Sequence, residues 1–278
     1  MRGIIVIVVT GATGNVGREL VRQLVEAGEQ VTALSRRAPE GQLPPGVRHI
    51  AADLAEPAAV RPALEGAEAL FLLVAGEEPQ GLLKEAKAAG VRRVVLLSSQ
   101  GVGTRPDVYE HAARFEAAVT ASELEWTVLR SGGLASNAYA WAEPIRVHRT
   151  AAAPFGDVGL PFVDPDDVAA VAAAVLREDG HHGATYVLTG PALTTPRERA
   201  AAIADAIGET VRFEGQTREQ AHAQMAAFLP LPVVEGTLAI LGTPTPDEQR
   251  TGPDVEHILG RPARPFSAWA HRNAAAFR

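Results

Sequence analysis

The chain of 278 residues has no cysteine. That excludes disulfides, thiolate metal sites and cysteine nucleophiles. Aromatic residues are scarce at 5 %, and Lys84 and Lys87 are the only lysines. Positive charge is outweighed, with 26 Lys+Arg against 33 Asp+Glu and a net charge of −7. That balance argues against a nucleic-acid partner or an anionic membrane surface. The β-branched run Ile4 to Val9 falls far short of the ~20 apolar residues a membrane span needs. It leads into a glycine motif rather than a small-residue cleavage site, so no signal peptide is expected. The expectation is a soluble, cytoplasmic protein.

At roughly 150 residues per domain the length fits one large domain, or one with a smaller appendage. A hydrophobic fraction of 46 % and a charged fraction of 21 % are those of an ordinary globular chain. Short apolar runs at Ile4–Thr10, Gln30–Ser35, Val47–Ala52, Ala69–Val74, Arg93–Ser98 and Trp126–Arg130 predict strands covered on both faces. Helical periodicity separates them at Val16–Ala27, Pro57–Leu64, Pro79–Ala89 and Val108–Ala121. This alternation predicts an α/β fold, a doubly wound parallel (Rossmann) sheet. After residue 131 the pattern loosens. Pro165–Arg177 and Pro196–Ile207 read as helices and Ala184–Leu188 as a strand; from Gly215 onward mainly helices are expected. Residues 1–131 are therefore expected to form a nucleotide-binding core. Residues 132–278 are expected to form a smaller, mainly helical substrate-side region packed on it, not an independent domain.

The most informative motif is Thr10-Gly11-Ala12-Thr13-Gly14-Asn15-Val16-Gly17, which follows the first strand and opens the first helix. Its glycines permit a tight turn, close approach of a pyrophosphate, and close packing of helix on strand. The helix N-terminus offers free N–H groups and a positive dipole end. The second strand ends in Ser35-Arg36-Arg37, where an NAD site would carry an acidic residue for the ribose hydroxyl. A hydroxyl followed by two guanidiniums suits a 2′-phosphate, favouring NADPH/NADP+ over a merely solvated basic turn. Asp53 and Leu54 follow the third strand, where ligands of open sheets bind; Asp53 either meets the adenine amino group or caps the next helix.

Together with Val94-Val95-Leu96-Leu97-Ser98-Ser99, Trp126-Thr127-Val128-Leu129-Arg130-Ser131-Gly132-Gly133 and Phe162-Val163-Asp164-Pro165-Asp166-Asp167-Val168-Ala169, this motif gives a chain that resembles the atypical, NmrA-like short-chain dehydrogenases/reductases. The resemblance spans nearly the whole chain. It implies one of three activities: reduction of ketones on aromatic polyketides such as angucyclinones, reduction of quinones, or non-enzymatic redox sensing. It also implies that Gly11, Gly14 and Gly17 face the pyrophosphate, with Thr13, Asn15 and Val16 of the same turn among the cofactor-binding residues, and Arg36 and Arg37 face the adenosine phosphate. Val74 and Ala75 would lie near the nicotinamide ribose, Ser98 and Ser99 beside the nicotinamide, and Gly132 and Gly133 near its carboxamide.

One departure limits the chemistry. The standard site pairs a serine with a tyrosine and a lysine four residues on, and here Tyr109 is followed at that distance by Ala113. A neutral phenol, pKa ~10, remains a proton donor at neutral pH. Losing the lysine therefore harms alcohol oxidation, which needs the phenolate, more than carbonyl reduction. Ser98, Ser99 and Tyr109 are the catalytic candidates. Three alternatives stay open: the serines terminate a strand through local bonds, Tyr109 is a packing aromatic, or the substrate supplies its own proton from a neighbouring phenol. Gln100, Leu134, Asn137, Phe162, Met225 and Phe228 are the substrate-binding candidates, with Tyr139, Trp141 and Phe155 as further wall or core residues. The aspartates around Pro165 read as helix capping, His181-His182 as a turn, and His111 as surface. No G-x-S-x-G elbow or Gly-Lys-Ser/Thr loop is present. The expectation is an NADPH-dependent reductase of a ketone on a bulky aromatic or polyketide-like substrate, monomeric or homodimeric. A quinone reductase and a non-enzymatic NADP(H) sensor are the alternatives.

Overall fold

The computed structural model describes residues 4–38 and 43–278. Strands β1 (Val6–Thr10), β2 (Gln30–Ser35), β3 (Arg48–Ala51), β4 (Ala69–Leu73), β5 (Arg93–Ser99) and β6 (Glu125–Ser131) match the predicted runs to within two residues at either end. Further along lie β7 (Thr150–Pro154), β8 (Ala184–Leu188) and β9 (Arg212–Gln216). The helices are α1 (Asn15–Glu26), α2 (Pro57–Leu64), α3 (Pro79–Ala88), the short α4 (Gly101–Thr104), α5 (Glu110–Thr120), α6 (Ala142–His148) and α7 (Pro165–Arg177). They continue as α8 (Pro196–Ile207), α9 (Arg218–Ala226), α10 (Leu231–Gly242), α11 (Asp254–Leu259) and α12 (Phe266–Arg272).

Seven strands form one parallel sheet in the order β3-β2-β1-β4-β5-β6-β8. The chain winds outward from β1 to β3, then returns to the other side of β1 with β4. That reversal leaves a crevice at the carboxyl ends of β1 and β4, where ligands of such sheets bind. α1 and α7 pack on one face around Val9, Leu20, Val171 and Leu129. α3 and α5 cover the other around Leu70, Leu82, Val95's neighbour Leu96, and Phe115.

The half beyond residue 131 contributes to this sheet directly, through edge strand β8 and covering helix α7. Asp164 caps α7 by accepting from the Asp166 N–H, with Pro165 in the first turn, as its sequence pattern predicts. The capping reading was incomplete, however: the aspartates also bind the C-terminal arginines. Asp164 pairs with Arg272, and buried Asp167 accepts from Arg261 Nη2 at 2.7 Å, Arg264 N at 2.6 Å and Arg264 Nη1 at 2.8 Å. Arg93, at the start of β5, ties down the other end of α7 by donating to the carbonyls of Leu176 and Glu178.

A second, two-stranded parallel sheet, β7–β9, was not expected from the sequence. Thr150-Ala151-Ala152-Ala153-Pro154 has little β-propensity of its own, and pairing with a segment sixty residues away overrides it. Around it the residues Ala138, Ile145, Ile203, Trp269 and Phe277 make a separate core under α8 and α12.

Replacing Asp167 with Asn removes the charge from three donor contacts at a buried site. The expected loss is about 1–3 kcal/mol of unfolding free energy, read from the urea midpoint. An unchanged midpoint would mean that the clamp on the C-terminal segment does not stabilise the fold.

Candidate functional site

The turn from β1 into α1 is shaped by its glycines. Gly11 has φ +61°, a left-handed conformation that disfavours other residues. A Cβ on Gly17 would lie 2.1 Å from the Gly11 carbonyl oxygen, so helix and turn meet as closely as backbone permits. Gly14 is the N-cap of α1, without a side-chain cap or an acidic residue in the first turn. The positive end of the helix is therefore left for an external anion. These features fit a cofactor pyrophosphate.

Gly11, Thr13 and Gly14 line a cavity of about 480 Å³ together with Ser35, Arg36, Arg37, Asp53, Leu54 and Ala75. Ser35 is buried; its hydroxyl donates to the Arg37 carbonyl at 2.7 Å and lies 2.9 Å from His49 Nε2, fixing the turn that carries the two exposed arginines. Asp53 does not cap α2, whose N-cap is Glu56; it closes a local turn by accepting from the Ala55 N–H at 3.0 Å. Val16 is in the core, Asn15 lines a separate cavity with Arg18, Glu19 and Tyr139, and Val74 packs against the α3 face of the sheet. Leu73 and Gly76 line the cavity in that stretch. His111, expected at the surface, is half-buried and places Nε2 2.8 Å from the Gly76 carbonyl, tying α5 to the cavity wall.

A second cavity, of about 240 Å³, opens beyond the carboxyl ends of β5 and β6. The two candidate serines part here, because successive strand residues face opposite sides. Ser99 lines the cavity, and its Oγ accepts from the Gly101 N–H at 3.1 Å. Ser98 points away, donating at 2.6 Å to buried Glu116, which also accepts from Arg130. Its observed role is to join β5, β6 and α5.

Tyr109 lies at the N-cap of α5 rather than within the helix, and its ring packs against Gly101, where a Cβ would approach to 2.2 Å. It lines the cavity beside Ser99. Burial pushes its phenol above the ordinary value, and the Ser99 hydroxyl only partly offsets this. Arg105 also acts on Tyr109, but its charge is committed to buried Glu248 through contacts of 2.6 and 2.9 Å. Burial pushes the Glu248 carboxyl up; the Arg105 bond and the Thr245 N–H outweigh it and hold the group below its usual range.

Of the substrate candidates, Gln100, Asn137 and Phe162 line this cavity, as do Gly132 and Gly133. Gln100 is braced by donating to the Asp247 carbonyl at 3.0 Å. Leu134 instead bridges to Val163, Met225 packs with Ala221 and Val234, and Phe228 is 84 % exposed at the surface. Tyr139 and Trp141 belong to the core under α8, and Phe155 packs against Gly242. The apolar wall comes from Leu160, Pro161 and the Thr237, Ile240 and Leu241 stripe of α10. The i, i+3, i+4 spacing of that stripe was a usable signal, but periodicity does not say which cavity a helix face meets. Among the described residues there is no metal-binding cluster, and no helix is long and apolar enough to cross a membrane.

Residues 11–179 match a family described as NAD(P)H-binding. A (4-alkanoyl-5-oxo-2,5-dihydrofuran-3-yl)methyl phosphate reductase from Streptomyces griseus is 37 % identical over 98 % of this chain and 99 % of its own. An NAD(P)H azoreductase from Xenophilus azovorans is 33 % identical, covering 98 % and 99 % respectively. The crystal structure of an NADPH-dependent quinone oxidoreductase from Escherichia coli, complexed with NADPH, superposes with a TM-score of 0.77 at 24 % identity, over 96 % of this chain and 99 % of that one. It shows the same fold.

Gly17→Ala tests the cradle. The added methyl forces helix and turn apart, so NAD(P)H affinity should fall at least tenfold and stability by about 1–3 kcal/mol. Isothermal titration with unchanged affinity would show that the close approach is not needed for binding.

Proposed function

The chain belongs to the NAD(P)H-binding family of atypical, NmrA-like short-chain dehydrogenases/reductases, and we propose that it is an NADPH-dependent reductase delivering hydride to the ketone of an aromatic or polyketide-like substrate. The observation that carries this reading is the shared cavity of Ser99 and the half-buried Tyr109 phenol, walled by Phe162, Ile240 and Leu241. Preference for NADPH rests on Arg36 and Arg37 at the rim of the larger cavity.

The nicotinamide, when bound, supplies the hydride to the carbonyl carbon. Tyr109 donates its phenolic proton to the carbonyl oxygen as that oxygen gains charge, and solvent reprotonates the phenolate. Ser99 holds the phenol in the cavity. Burial keeps Tyr109 in its acid form across the neutral range. With Ala113 in place of a lysine and Arg105 paired to Glu248, neither position offers a free cation to a phenolate, so the site favours reduction over alcohol oxidation.

A quinone is the second reading, favoured by the cavity's volume of about 240 Å³, which is below the ~300–1,000 Å³ of pockets that enclose drug-sized ligands. A quinone needs less help from a general acid, and a larger ketone would present only its reacting ring.

Tyr109→Phe should lower kcat for ketones by about 10²-fold or more while leaving the Kd for NADPH unchanged. Full turnover in this variant would contradict the assignment of Tyr109 as acid. In the wild type, reduction should hold its rate through the neutral range and decline only above ~10, where a phenol begins to ionise. Replacing Arg36 and Arg37 together by Ala should raise KM for NADPH about 10- to 100-fold and leave KM for NADH nearly unchanged. Equal effects on both cofactors would refute their role at the 2′-phosphate. Tight NADP(H) binding without turnover of any ketone or quinone would support the sensor alternative.

A further inference from the structure

Arg199, on α8, is a buried cation without a counter-charge. It is 6 % exposed, makes no ion pair among the described residues, and its Nε has no hydrogen-bond partner. Burial alone lowers its pKa to about 10, which still leaves it charged at neutral pH. Such a group destabilises a core unless something compensates it. The compensation here is aromatic. The guanidinium carbon lies 3.7 Å from the centroid of Phe162 and 5.6 Å from that of Trp141, within the range of cation–π attraction. Phe162 also lines the cavity that holds Ser99 and Tyr109.

We propose that Arg199 is a positioning residue for the reduction: stacked on Phe162, it fixes that ring as a flat wall of the substrate cavity and sets a positive charge behind it. This rests on the reductase reading above. Gly133 also lies close to the ring, where a Cβ would meet it at 2.8 Å, so a glycine there leaves the ring room to stack on Arg199. A cation without an ion-pair partner in a low-dielectric wall favours negative charge nearby, and reduction builds such charge on the carbonyl oxygen. A substrate ring resting on Phe162 would thus be held flat where that charge develops. The arginine stabilises the reaction at the expense of the fold.

Arg199→Met keeps the length and removes the charge. Its Tm should be unchanged or higher, yet kcat/KM for aromatic carbonyl substrates should fall about 5- to 30-fold, with KM for NADPH unaltered. Arg199→Lys restores a cation without the planar stack and should fall between the two. In a Phe162→Leu background the Arg199→Met effect should disappear, because the residue acts through the ring. Wild-type kcat and KM in Arg199→Met, or a lysine variant no better than methionine, would overturn the proposal. Binding of a non-reducible quinone analogue to the NADP+ form, followed by tryptophan quenching, separates this from the reductase reading. A wild type that binds the analogue but reduces nothing overturns that reading alone, and Arg199→Met must still weaken the binding for the present proposal to hold.

Discussion

Nothing larger than hydrogen fits between the Cα of Gly17 and the carbonyl of Gly11. That contact brings the first helix down onto the first strand and leaves its N-terminus uncapped at the mouth of the sheet crevice. Much of the site follows from it. The turn lines the larger cavity, the reversal between β1 and β4 opens the crevice beside it, and the arginines after β2 stand at its rim. The smaller cavity sits two strands along the same carboxyl edge.

The C-terminal half reaches that edge through ion pairs with buried carboxylates. Asp164 and Asp167 at the start of α7 hold arginines from the last eighteen residues, and Arg93 holds the opposite end of the same helix. Glu116 repeats the device inside the first half, binding Ser98 and Arg130. Each buried carboxylate is met by cations or hydroxyls, the condition under which burial of charge is tolerated. Among the described residues Arg199 is the exception: a buried arginine without an ion pair, set against two aromatic rings.

The sheet and the glycine turn were legible because they depend on local patterns: unbroken apolar runs, helical spacing, and glycines at fixed offsets. Ser98 and Ser99 show where that legibility stops. Both stand in one motif, but strand alternation sends one to the cavity and the other to Glu116. Tyr109 was placed on a helix from apolar spacing; as the N-cap it enters the cavity from the helix end. Met225 and Phe228 looked like wall residues because large apolar side chains usually are buried. The helix of Met225, α9, packs against α10 instead, Phe228 stands exposed in the turn after it, and α10 supplies Ile240 and Leu241 to the cavity. Which face of which helix meets a cavity depends on contacts between segments far apart in sequence, and no periodicity encodes those. The β7–β9 pair was hidden for the same reason.

The central claim is hydride transfer from NADPH held at the carboxyl edge of this sheet. It is tested most directly in a single turnover of purified protein mixed with NADPH deuterated at the transferring nicotinamide position and an aromatic ketone. The account predicts that the nicotinamide absorbance decays more slowly than with unlabelled cofactor and that deuterium appears on the alcohol carbon of the product. Decay no faster than in buffer, with the cofactor fully bound and the ketone or any quinone unchanged, would contradict it.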